Sequence, residues 1–165
     1  MFALMRGLVY AALFVAIVLV FLPGQLLGWS GLARPSEVGP LQYAGAALVI
    51  LGGLLVLWCI VSFGLVGRGT PAPFDPPRRL VVAGPYRYVR NPMYWGAVLA
   101  LSGAALFYRS IPLAWYDALF FVAMNLFVFG HEEPALRRSF GPEYEAYCRN
   151  VGRWWPRLGG GAPSA

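Results

Sequence analysis

The 165-residue chain is 59% hydrophobic and only 12% charged, where soluble domains carry roughly 25% charged residues, and this excludes an ordinary water-soluble globule. Its formal charge of +6 rests on arginine alone, with no lysine. Because those arginines flank long apolar runs, they call for anionic lipid head groups as counter-charge and not for nucleic acid.

Four apolar segments follow in chain order, and together they read as an all-α integral membrane protein in one domain. A bilayer core of ~30 Å needs ~20 apolar residues in helix. The first candidate runs from Leu8 to Trp29 without a charge, with Pro23 near its end. The second runs from Leu41 to Val66, and its Gly45, Gly52 and Gly53 invite close approach by another helix. The third, Met93 to Tyr108, is short and bounded by aromatic residues. The fourth, Ile111 to Gly130, carries Asp117 and Asn125. Only Arg109 and Ser110 separate the last two, which predicts a tight helical hairpin. A competing reading makes the first segment a signal peptide, with Arg6 before it and the small residues Gly31 and Ala33 after it. Its length and the membrane helices that follow favour a retained helix. The chain thus divides into two N-terminal helices (1–66), a loop (67–92), the hairpin (93–130) and a polar tail (131–158).

Arginine placement sets the expected orientation. With the N-terminus in the cytoplasm, Arg6, Arg68, Arg78, Arg79, Arg87, Arg90, Arg137, Arg138, Arg149, Arg153 and Arg157 fall inside, and only Arg34 and Arg109 outside. Both termini are therefore expected to be cytoplasmic. Asp117 is expected near the outer surface, reaching towards water or Arg109.

The two cytoplasmic pieces carry the chemistry. The loop begins GRGTPAPFDPPRRL, too rich in Gly and Pro for regular helix. Its Gly67-Arg68-Gly69 reads as flexible loop, and Arg78-Arg79 as a lipid head-group contact. Gly84-Pro85 marks a turn. Asn91-Pro92 marks a helix start, with Asn capping and Pro in the first turn. In the tail, Glu132 and Glu133 directly follow an apolar helix, where ionised carboxylates need partners. His131 is a lone interfacial histidine without a catalytic role. A short helix from Pro142 places Tyr144, Tyr147, Cys148 and Val151 on one face, suited to lie on the membrane or over a pocket. Trp154-Trp155 suits interfacial depth. Since the hairpin crosses the bilayer and returns, Arg90 and the Glu132-Glu133 pair should meet at one membrane face. Cys59 and Cys148, far apart and without a CxxC, suggest neither a disulfide nor a metal site.

GPYRYVRNPMYWG, an apolar hairpin, then EE, FGPEYEAY and VGRWWP resemble the isoprenylcysteine carboxyl methyltransferase and phospholipid methyltransferase group, from about Val81 to Pro156. The resemblance implies an integral membrane enzyme that binds S-adenosylmethionine at the cytoplasmic face and methylates a lipid-like or amphiphilic acceptor, without metal. By the same resemblance Tyr86, Arg90, Asn91, Pro92, Tyr94 and Gly96 line the cofactor pocket, Gly96 by permitting close approach. Glu132 and Glu133 answer the cofactor's ammonium and ribose, with Glu133 as the candidate base and Arg153 contacting the cofactor carboxylate or the acceptor. The eukaryotic isoprenylcysteine enzymes have His where this chain has Asn91, so a prenylated-protein substrate is not expected. Two other classes compete: a sterol-reductase-like membrane reductase using a nicotinamide cofactor, which the Glu132-Glu133 pair disfavours, and a non-enzymatic membrane scaffold, which has no use for the polar cluster.

Overall fold

In the computed structural model the described residues are 9, 12–30, 37–67 and 79–157, and they are helical with no sheet. Arg6, Gly31, Ala33, Arg34, Arg68, Gly69 and Arg78 lie outside them, so the readings placed on those residues do too. Three helices are long and apolar enough to cross a membrane: α1 (Ala12–Trp29), α2 (Pro40–Ser62, continuing to Val66) and the 30-residue run Ile111–Phe140. A shorter apolar helix, α3 (Pro92–Tyr108), joins them. The long run comprises α4 (Ile111–Phe127), a wide π-type turn (Val128–Glu132) and α5 (Glu133–Phe140). A last helix, α6 (Pro142–Asn150), folds back over α5.

Glycines set how α2 and α3 pack. A Cβ on Gly45 would stand 2.7 Å from the Gly103 carbonyl, and one on Gly103 would stand 2.6 Å from the Gly45 carbonyl. Two turns along, Gly52 and Gly96 oppose each other in the same way. The two helices therefore run antiparallel with their backbones in contact, the arrangement that small residues permit in lipid. One expectation changes here. Gly53 has nothing within 4 Å, so the second glycine of its pair plays no part. Gly96 makes a close approach to Gly52 and Val56 of α2.

The hairpin turn is as short as expected. Arg109 closes α3 in the left-handed conformation at φ 48°, and the Ser110 hydroxyl caps α4 by accepting from the Leu113 N–H at 3.3 Å. Asp117, expected to reach for water or Arg109, is buried and accepts a short hydrogen bond from the Ser102 hydroxyl on α3. In the bilayer a neighbouring hydroxyl is a nearer partner than distant water. Next to Asp117 on α4, the Tyr116 hydroxyl donates to the Val18 carbonyl of α1 at 3.0 Å.

Charge divides along the hairpin axis. Arg109 sits at its turn, while Arg90, Glu132, Glu133 and the tail arginines gather at the opposite end.

Candidate functional site

Local sequence delivers each polar group to that opposite end. Pro134 has no N–H, and its ring would collide with the carbonyl four residues back in a regular helix. The chain responds with the π-type turn, in which the Glu133 N–H reaches the Val128 carbonyl, five residues back. That turn shifts the angular position of the two glutamates at the edge of the apolar span. On the facing helix, Pro92 fills the first turn of α3 and is fully buried. Asn91 precedes it, but its side chain does not cap α3. Its Nδ2 instead donates to the Arg153 carbonyl at 3.2 Å.

Glu133 is the hub. Only 2% exposed, it takes two hydrogen bonds from Arg153, Nε to Oε1 at 2.7 Å and Nη2 to Oε2 at 2.8 Å. Arg90 adds a contact to Oε1 at 3.1 Å, and Arg137 one to Oε2 at 3.7 Å. Paired guanidinium and carboxylate of this bidentate kind are strong and directional. Arg90 also reaches the Tyr144 hydroxyl at 3.3 Å and Cys148 Sγ at 2.7 Å. Burial, with Cys148 and Glu133 adding to it, pushes the Tyr144 phenol above its ordinary range, so it remains a neutral hydroxyl. Both Glu133 oxygens are thus engaged by guanidinium groups.

Glu132 is placed differently. The Tyr94 hydroxyl donates to its Oε2 at 3.0 Å, and among the described residues no arginine pairs with it. It is partly buried, and its partner Tyr94 belongs to an aromatic cluster with Trp95, Trp154 and Phe121, whose ring separations are 5.2–6.4 Å.

Residues 41–143, more than half of the chain, match the phospholipid methyltransferase family. The chain belongs to that family. It is also 34% identical over 119 residues to the nickel-cobalt-cadmium resistance protein NccN of Alcaligenes xylosoxydans xylosoxydans. The alignment takes in 70% of this chain and 53% of that protein, so the chain spans about half the length of this relative. No solved structure matches the chain significantly. Among the described residues no group of three or more His, Cys, Asp or Glu side chains converges as metal ligands.

For a phospholipid methyltransferase family member, the residues singled out in the sequence separate into two sets. Arg90, Asn91, Tyr94, Glu132, Glu133 and Arg153 come together at one end of the hairpin. Tyr86, Pro92 and Gly96 are packing residues. Tyr86 is buried against Cys59 and Val81, its ring set edge-on to Phe63 at 5.1 Å, and its carbonyl accepts from the Tyr147 hydroxyl at 2.7 Å. Trp95, Trp154 and Asn125 carried no site role in the sequence reading, yet they join this end of the hairpin. The Trp95 indole donates to the Trp154 carbonyl at 2.8 Å, and the Trp154 indole to Asn125 Oδ1 at 3.2 Å. An amide deep in an apolar helix is the one signal that could have pointed to them.

Proposed function

We propose that this membrane methyltransferase transfers a methyl group from S-adenosylmethionine to a lipid-like or amphiphilic acceptor, carboxylate or amine, at the cytoplasmic membrane interface. The observation that carries the reading is Glu132, oriented by Tyr94 and left without a cationic partner among the described residues, next to a Glu133 that arginines enclose. The residues fit the cofactor's chemistry. A carboxylate suits its ammonium or ribose hydroxyls, and the Tyr94–Trp95–Trp154 wall suits a cation through its ring faces. Family membership supports the same cofactor.

When bound, the cofactor supplies a sulfonium that is already an activated methyl donor. The protein's task is then to align nucleophile and methyl and to keep water out. Glu132 and Tyr94 bind and orient. The hub of Glu133, Arg90 and Arg153 fixes the ends of α3, α5 and the tail around them. The aromatic wall excludes water on the lipid side. A carboxylate acceptor reacts as its anion and needs no base. An amine has to lose a proton first, and Glu132 is the carboxylate with a lone pair available for it.

Titration calorimetry of the purified protein in detergent tests this. S-adenosylmethionine should give binding heat, and Glu132→Gln should weaken that binding by at least about tenfold, the scale of one lost charge-assisted hydrogen bond. Binding of a reduced nicotinamide nucleotide with no response to S-adenosylmethionine would overturn the reading in favour of a reductase.

A further inference from the structure

Residues 151–155 form a strap that leaves α6 and crosses the ends of α3 and α4. It has no regular structure, yet it is tied down at nearly every residue. The Arg90 N–H donates to the Gly152 carbonyl at 2.9 Å, Asn91 Nδ2 to the Arg153 carbonyl at 3.2 Å, and Trp95 Nε1 to the Trp154 carbonyl at 2.8 Å. The strap doubles back so sharply that a Cβ on Gly152 would overlap the Trp155 carbonyl. Both indoles meet Trp95, but Trp155 remains 72% exposed with its ring edge-on to Trp95 at 5.3 Å, whereas Trp154 turns in between Tyr94, Trp95 and Phe121. Trp154 hangs from Asn125, which lies about two turns deeper in the apolar span than Glu132. The middle one of the three tethered residues, Arg153, is the one that clamps Glu133.

We propose that Asn125 and Trp154 are positioning residues that latch this strap as a gate between α3 and α4, so that the chain of an amphiphilic acceptor entering from the bilayer displaces Trp154 and, through the strap, loosens Arg153 from Glu133. This rests on the functional reading above for the acceptor, but the latch itself does not. The coupling is geometric. Arg153 and Trp154 are consecutive, and the strap that presents the guanidinium and the indole is held by Asn91 and Trp95 at their two carbonyls, so a loss of the Trp154 anchor is shared by one short stretch of backbone. A latch has to sit inside the apolar layer to sense an acyl chain, and Asn125 does. Its amide has no competing water there, so the single hydrogen bond to Trp154 carries weight.

Amide hydrogen exchange in nanodiscs, resolved to single residues, tests the latch without any cofactor. Asn125→Leu should raise exchange at Arg90, whose N–H is bonded to the strap, by about tenfold, with helix amides of α2 unchanged. Trp154→Phe should do the same, and the double variant should be no worse than either single one, because both delete the same bond. Asn125→Asp keeps an acceptor oxygen and should restore protection. A palmitate bearing a diazirine on its chain should label Trp95 and Phe121 several-fold more in Asn125→Leu than in the wild type. Unchanged exchange at Arg90, additive effects, failure of Asn125→Asp to restore protection, or equal labelling would each overturn the proposal. If the exchange and labelling results hold while wild-type protein ignores S-adenosylmethionine, the gate stands and the methyl-donor reading falls.

Discussion

Glu133 and its neighbour Glu132 show how far one residue's place can differ from the next one's. Adjacent in sequence, they receive different surroundings: one is enclosed by guanidinium groups, the other accepts from the Tyr94 phenol. Neutralising Glu133 leaves Arg90 and Arg153 uncompensated where water is scarce, a loss of about 3–5 kcal/mol for a broken buried pair. Glu133→Gln should therefore lower both the melting temperature and S-adenosylmethionine affinity, the latter by tenfold or more. Glu143→Gln, at an exposed site in the first turn of α6, should change neither beyond about 0.5 kcal/mol. Calorimetry and thermal melts on the two variants check this, and equal effects would remove the hub from the site. Asn91 carries a related lesson. The sequence made it a helix cap, but its amide ties the tail to α3, a task that needs a donor and no titratable proton.

At the scale of elements, two devices place the site: a glycine ladder and a proline-induced turn. Gly52 lies against the backbone of α3 at Gly96 and Ala100, so Gly52→Leu has no volume to enter and forces the helices apart. Overpacking of a tight core costs about 1–3 kcal/mol or more. Unfolding in mixed detergent should show that loss for Gly52→Leu and almost none for Gly53→Leu, which meets open space. Pro134 makes a separate prediction. With alanine there, the four-back hydrogen bond can re-form and the π-type turn can relax to regular helix, turning Glu132 away from Tyr94. Pro134→Ala should then keep or raise thermal stability while weakening S-adenosylmethionine binding about tenfold, the scale of one displaced charge-assisted hydrogen bond. Calorimetry beside a melt separates the two effects, and unaltered affinity would show that the turn does not position Glu132.

For the whole molecule, the hairpin puts Arg109 at one end and the hub with the tail arginines at the other. Arginine bias of this kind orients membrane proteins with the basic end in the cytoplasm. Single-cysteine variants at two exposed positions test it in intact cells, on a background with Cys59 and Cys148 replaced by serine. A membrane-impermeant maleimide should label Arg109→Cys directly and Glu143→Cys only after lysis. The reverse pattern would invert the orientation and move the site to the outer face.

Hydropathy and residue spacing were enough to determine the helical membrane class, the hairpin with its two-residue turn, and the return of Arg90 and the glutamate pair to one end, because the length of an apolar run and the shortness of a turn act locally. Only the tertiary structure decided which glutamate is enclosed by guanidinium groups and which accepts from Tyr94, that Gly96 packs against α2, that Tyr86 belongs to the core, and that Trp154 reaches Asn125. Those outcomes depend on the rotation of each helix about its axis and on which guanidinium arrives first. Rotation here is fixed by glycine contacts between α2 and α3 and by the proline-driven turn after α4; the glycine spacing marks a contact face on each helix, but a single chain does not say which face meets which.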